Sequence, residues 1–422
     1  MSRPVTWSIP KAFVATCFSL LALGVAAYPQ HNPKDVQPFR IALSDGLPHM
    51  YALLRQSRLP QEEEYPGVAD TAGVDLDVLK TLQGAWLKDF NWRREEREMN
   101  SFKHFTTEIE GLTVHFIHER SADPDAIPII LNHGWPGSFL EFTPIIRNLT
   151  SSATTSSGKP VSFHVIVPSL PGFAFSSPPP ANWTIEDTAR IQHTLMVDIL
   201  GYRQFAVHGT DWGSAPSYAL YADYSNATRA AHFTFLPFVT YTADQLAAAN
   251  ISLQGTLEQK EERLTEEWLT TGNAYILDQT TKASRLALYD NPLGQLAWIG
   301  EKFIKWSDPR QGTGPSLLTY NEILRSTSLY YLTRSFVSSV YVYFQNPHGF
   351  RTEYTKPATD APMLFSAFGY NIGFWPRALV QKVGNLVSYR NHEFGGHFAG
   401  LDNPPALIAD LREIGEYWNR TV

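Results

Sequence analysis

The chain has 422 residues, with 34 Lys and Arg against 41 Asp and Glu, a formal charge of −7 and 43% hydrophobic residues. That composition suits a globular protein with a sizeable core and excludes a disordered one. A net-acidic chain without a block of Lys or Arg is also a poor partner for nucleic acid or an anionic membrane surface.

Arg3 and Lys11 precede an apolar run from Ala12 to Ala27, which ends in Val25-Ala26-Ala27. A basic start, an apolar centre and small closing residues form the pattern of a secretory signal peptide. Residues 1–27 are therefore expected to be cleaved, leaving Tyr28 as the mature N-terminus. The run is short for the roughly 20 residues a membrane span needs. Cleavage would remove Cys17, the only cysteine, so disulfides are excluded and stability must come from packing. Asn-x-Ser/Thr sites follow at Asn148, Asn182, Asn226, Asn250 and Asn419. Behind a signal-like segment they predict a secreted glycoprotein with no stable membrane span.

Residues 28–104 carry helical patterning. Leu43, Leu47, Met50, Tyr51, Leu53 and Leu54 fall on one face, and a second helix is expected near residues 76–98. Its charges at 93–98 alternate in sign, which reads as a solvated face. Over 105–239 the period changes: Leu112 to Ile117, Ile127 to Leu131, Val165 to Val167, Phe205 to Val207 and His232 to Leu236 read as strands with helices between them. This alternation predicts an α/β fold with a mostly parallel sheet. The stretches Thr150 to Gly158 and Ser176 to Pro180 read as loops. Residues 240–355 lose the strand signal and become helical and aromatic-rich, the pattern of a cap inserted into the core. Residues 356–422 restore strands at Pro362 to Phe365 and Asn385 to Tyr389, then close on an amphipathic helix from Ala406 to Trp418.

Gly209-Thr210-Asp211-Trp212-Gly213 lies between a strand and a helix. An Asp after a strand is ordinarily a helix N-cap. Here the flanking glycines allow the tight bend that pushes a central nucleophile out of the backbone. A carboxylate nucleophile suits an sp³ carbon bearing a leaving group and forms an alkyl ester that water must hydrolyse. Epoxides or alkyl halides are the expected substrates. His133-Gly134-Trp135-Pro136-Gly137-Ser138 occupies the place where such folds build an oxyanion hole, so the N–H groups of Trp135 and Trp212 are candidates to hold the oxyanion. His397, in Gly395-Gly396-His397-Phe398-Ala399, has the chain-order position of the base. Its distance from His392 is i, i+5 rather than the i, i+4 of a helical zinc pair, and two glycines oppose a helix. No metal or cofactor is expected.

Taken together, these motifs resemble the microsomal-type and fungal epoxide hydrolases of the α/β-hydrolase superfamily. Pro38-Phe39 through Asn100-Ser101-Phe102, including Asp89-Phe90-Asn91-Trp92-Arg93, resembles the N-terminal region of that family, and Pro168-Ser169-Leu170-Pro171-Gly172-Phe173 matches a further motif. The resemblance implies a small apolar epoxide as substrate, a helical cap, and two cap tyrosines that protonate the epoxide oxygen: Tyr275 and Tyr343, with Tyr341 as the nearest competitor. It also puts Asn371 where the family has the carboxylate that orients the histidine. Three outcomes are open there: a substitute acid such as Asp244, a slower enzyme supported by Asn371, or a nearly inactive ligand-binding scaffold. Asp360 precedes its strand, at the wrong end. A haloalkane dehalogenase shares the Asp nucleophile and the following Trp; the N-terminal region and the tyrosines speak against it.

Overall fold

The computed structural model describes residues 36–63, 73–253 and 286–418. The signal-like segment, Tyr275 and Asn419 lie outside the described residues. The strands among them are Gln37–Phe39 (β1), His104–Ile109 (β2), Leu112–Glu119 (β3), Ile127–Asn132 (β4), Ala153–Thr154 (β5), Pro160–Val161 (β6), Phe163–Pro168 (β7), Phe205–Gly209 (β8), Thr228–Phe233 (β9), Pro362–Tyr370 (β10) and Asn385–Gly396 (β11). Nine of these form one sheet in the order β1-β2-β3-β7-β4-β8-β9-β10-β11. Pairing is antiparallel from β1 to β7 and parallel from β7 to β11.

The continuous apolar runs of the central strands follow from burial on both faces. Ile129 and Leu131 of β4 enter one core while Ile130 enters the other. Val165 and Val167 of β7 likewise oppose Ile166, and Ala206 of β8 opposes Phe205 and Val207. Period-two alternation thus sorts one apolar strand into two helix-covered layers.

Several sequence expectations need correction. The helix expected over 76–98 is two helices, Leu76–Lys88 and Trp92–Met99. The chain breaks between them, and the Asn91 side chain caps the second by accepting from the Arg94 N–H at 3.1 Å. The charged face at 93–98 is not simply solvated: Glu95 is 1% exposed and faces buried Arg325 at 3.8 Å, while Glu96 accepts from the Leu43 N–H at 2.6 Å. The Ser/Thr-rich stretch contains β5, which pairs with β6 just beyond it. Strand β9 stops at Phe233, and the closing helix divides into Pro404–Arg412 and Ile414–Tyr417.

The described part of the 240–355 insertion includes helices Pro292–Lys305, Tyr320–Leu332 and Tyr341–Gln345. It meets the loops at the C-terminal ends of β4 and β8. The Tyr330 hydroxyl donates to Gly137 O at 2.7 Å, and the Trp135 indole donates to Ser339 Oγ at 3.2 Å. The N-terminal helices brace the same insertion, with the Trp86 indole donating to Ser328 Oγ at 3.0 Å. No helix of the described residues is long and apolar enough to cross a membrane.

The sheet also buries neutral histidines. Burial lowers His118 and His133 to about 4 and His208 to about 3. Between those values and the ordinary 6.5 the unfolded chain binds more protons than the fold, so stability falls as pH drops below about 6.5. Denaturant unfolding should show a midpoint clearly lower at about pH 5 than at about pH 7, with a loss on the order of 2 kcal/mol for each such histidine. An unchanged midpoint would mean that these rings are charged or solvated in the fold.

Candidate active site

Asp211 follows β8 and has φ 45°, a left-handed conformation that a non-glycine residue adopts only when its surroundings enforce it. The enforcement is steric. A β-carbon on Gly213 would run into the carbonyl oxygens of Asn132 and His133, and one on Gly209 would lie 2.7 Å from the Ser214 Cα. With both glycines in place, the turn packs against the end of β4 and the Asp211 side chain points into the site, 6% exposed. The Trp135 N–H donates to Asp211 Oδ1 at 2.7 Å. That approach needs Gly134, whose β-carbon would collide with the same oxygen.

His397 leaves the end of β11 with its Nε2 3.3 Å from Asp211 Oδ2. Its ring is packed edge-on against Trp306 and Phe235, with centroids 5.1 and 5.6 Å away. Asn371 follows β10 and places Oδ1 2.8 Å from His397 Nδ1. The Asn371 amide group donates to Thr234 O, just beyond the end of β9, at 2.9 Å. The amide is thereby oriented: its nitrogen must face the Thr234 carbonyl and its oxygen the imidazole. His397 then carries its proton on Nδ1 and turns the Nε2 lone pair toward Asp211. A neutral amide achieves the tautomer a carboxylate would set. Asp244 is exposed on the short helix Ala243–Ala248, and Asp360 is 81% exposed and paired with Arg229; neither is the partner of His397.

Tyr343 is 5% exposed. Its ring stands edge-on to Trp212 and Trp135 at 4.8 and 6.1 Å, whereas Tyr341 is half-buried. Sequence reasoning missed Tyr330, fully buried beside Tyr343 and the loop holding Asp211. It also missed a carboxyl pair that holds the histidine turn. Asp308 accepts from the Gly395 N–H at 3.0 Å, while its own N–H donates to Asp402 at 2.8 Å. The His397 N–H donates to Trp306 O at 2.7 Å. Burial chiefly raises Asp402, to about 6. Proximity to the Gly395-Gly396 turn was the only sequence signal for Asp402, and none marked Asp308. His392 points elsewhere, to Asp410 at 2.5 Å.

A mostly parallel sheet, an elbow carrying Asp211 and a histidine after the last strand define a hydrolase of the α/β-hydrolase fold. The family model for that fold matches residues 127–257, and the model for the epoxide hydrolase N terminus matches residues 36–142. Epoxide hydrolase 1 of Oryctolagus cuniculus is 30% identical over 90% of this chain and 88% of its own length. The Aspergillus niger epoxide hydrolase structure superposes with a TM-score of 0.76 at 33% identity, covering 92% of this chain and 97% of that one. The juvenile hormone epoxide hydrolase of the silkworm Bombyx mori gives a TM-score of 0.77 at 26% identity, over 91% and 95% of the two chains. The chain belongs to the epoxide hydrolase family.

The glycine requirement is testable. Gly134→Ala should displace the Asp211 carboxylate while leaving the sheet intact, and turnover should fall by about 10²-fold with little change in the circular dichroism melt. Near-parental turnover would show that Asp211 does not depend on this loop.

Proposed function

We propose that this chain opens an apolar epoxide to a vicinal diol through an ester on Asp211. The observation that carries this reading is the Asp211 carboxylate, buried, accepting from the Trp135 N–H and lying 3.3 Å from His397 Nε2. Asp211 Oδ2 attacks an epoxide carbon and the ring C–O bond breaks. Tyr343, with Tyr275 by resemblance, donates to the departing oxygen, which is far more basic than a phenolate whose acid has a pKa near 10. His397 then takes a proton from water, and the water oxygen adds to the Asp211 carboxyl carbon while the N–H groups of Trp135 and Trp212 receive the oxyanion; the adduct breaks its bond to the diol oxygen, which takes the His397 proton, and Asp211 is released as the carboxyl group. A phenol above the nucleophile serves an oxygen leaving group, which favours this chemistry over dehalogenation.

Asn371 supports the hydrolytic step without a charge. In a serine-protease triad, Asp→Asn lowers turnover by about 10⁴ because the wrong tautomer is held. Here the Thr234 carbonyl keeps the amide in the useful orientation, so only the missing charge is lost. Asn371→Asp should accelerate ester hydrolysis by roughly tenfold, less than a free charge would give because the new carboxylate faces the Thr234 oxygen. No acceleration, measured by single-turnover quench, would mean that charge at position 371 is immaterial.

We further propose passage through the secretory pathway with N-glycosylation. Asn148, Asn182, Asn226 and Asn250 are all exposed, as glycan acceptors must be, and the segment 1–27 has signal-peptide character.

Intact-protein mass spectrometry with styrene oxide, diol being assayed alongside, tests the main reading. A transient or stable mass increase and diol formation should both vanish in Asp211→Asn. Unchanged diol formation in that variant, allowing for deamidation, would sink the nucleophile assignment.

A further inference from the structure

Residues 306–310 follow the inserted helix Pro292–Lys305 and run along the end of β11 that delivers His397. They meet five consecutive residues there. The Arg310 guanidinium donates to Glu393 O at 3.1 Å and lies over the Phe394 ring, 4.5 Å from its centroid. The Asp308 carboxylate accepts from the Gly395 N–H at 3.0 Å. A β-carbon on Gly396 would stand 2.6 Å from Trp306 O and 2.8 Å from the Ser307 Cα. Trp306 O accepts from the His397 N–H at 2.7 Å, and the Trp306 ring stands edge-on to the imidazole. The Asp308 N–H, donating to Asp402 Oδ2 at 2.8 Å, ties in the helix Ala399–Asp402 that follows.

Asp308 is the centre of this arrangement. Its side chain is fully buried, and Arg310 grips both oxygens, Nε to Oδ1 at 2.8 Å and Nη2 to Oδ2 at 2.6 Å. Burial would raise the Asp308 carboxyl, but the hydrogen bonds from Arg310 and Gly395 hold it below the usual carboxylate range. It therefore remains an acceptor at neutral pH. The backbone it restrains has unusual freedom, since Gly395 at φ 106° is followed by a second glycine. Without the carboxylate the buried Gly395 N–H loses its acceptor, and the turn must move to find another. Asp211 is held from elsewhere, by the Trp135 N–H and the glycine turns at the ends of β4 and β8. Nucleophile and base are thus positioned by different parts of the chain.

We infer that Asp308 is a positioning residue for the hydrolytic half of the reaction, holding His397 in place through Gly395 while ester formation proceeds without it. The inference rests on the ester mechanism proposed above. Attack of the Asp211 carboxylate on an epoxide carbon needs no base, whereas attack of water on the ester needs His397. A displacement of about 1 Å in a catalytic group costs up to 10²-fold in rate, and that cost falls only on the step in which the group acts.

The test is single-turnover kinetics on the full purified chain with styrene oxide, the ester being read by quenching and intact mass and the diol alongside. Asp308→Ala should form ester at a rate within about twofold of the parent. It should hydrolyse that ester roughly 10- to 100-fold more slowly, so that ester builds up. Asp308→Asn keeps one oxygen for the Gly395 N–H and should recover part of the loss. Arg310→Met guards against a folding defect, because the Arg310 side chain is 46% exposed and the carboxylate stays in place. Its ester hydrolysis should slow by about three- to tenfold, again without loss of the first step. Parental hydrolysis in Asp308→Ala overturns the assignment. So do equal losses in both steps with a lowered melting temperature in the Asp308 and Arg310 variants, which mark a general packing role. His397→Gln is the reference and should accumulate ester; absence of ester there overturns the ester mechanism, and this inference with it.

Discussion

Everything in the site depends on one carboxylate being held in a place where the backbone resists putting it. Asp211 sits at positive φ, and a residue stays there only when the packing around it forbids the alternatives. Gly209 and Gly213 let the turn close onto β4, and Gly134 lets the Trp135 N–H reach Asp211 Oδ1. The donor that steadies the resting carboxylate is the one positioned for the oxygen that becomes an oxyanion later. Preorganisation of this kind needs no reorganisation when the charge develops.

The site is poor in fixed negative charge. The position beside His397 Nδ1 holds an amide, and that amide is useful only because the Thr234 carbonyl settles which way it faces. Strand β9 ends at Phe233, and just beyond it the Thr234 N–H donates to Gly209 O of β8 while its carbonyl accepts from Asn371.

The surrounding architecture serves the same end. The N-terminal helices do not merely precede the core; Glu95 and Trp86 pack against the helix Tyr320–Leu332, which carries Tyr330. The segment after Pro292–Lys305 reaches back to hold the His397 turn through Trp306 and Asp308. The inserted helices are thus anchored on one side by the N-terminal region and on the other by the strand end that delivers the histidine.

The sequence by itself determined the α/β architecture, the elbow at Asp211, the Trp135 loop and the place of His397, because each is written in a short stretch: apolar runs for strands buried on both faces, and glycines at fixed offsets where a β-carbon cannot fit. It also marked Asn371 as a departure. Tertiary structure alone decided that the amide of Asn371 is locked in the useful orientation, that Tyr343 is buried while Tyr341 is only half-buried, that the charged run at 93–98 is partly a buried bracing contact, and that Asp308, Asp402 and Tyr330 support the site. The physical reason is common to all of these. Whether a polar side chain is solvated, paired or left unpaired depends on what packs against it from distant parts of the chain, and no local pattern of residues carries that information.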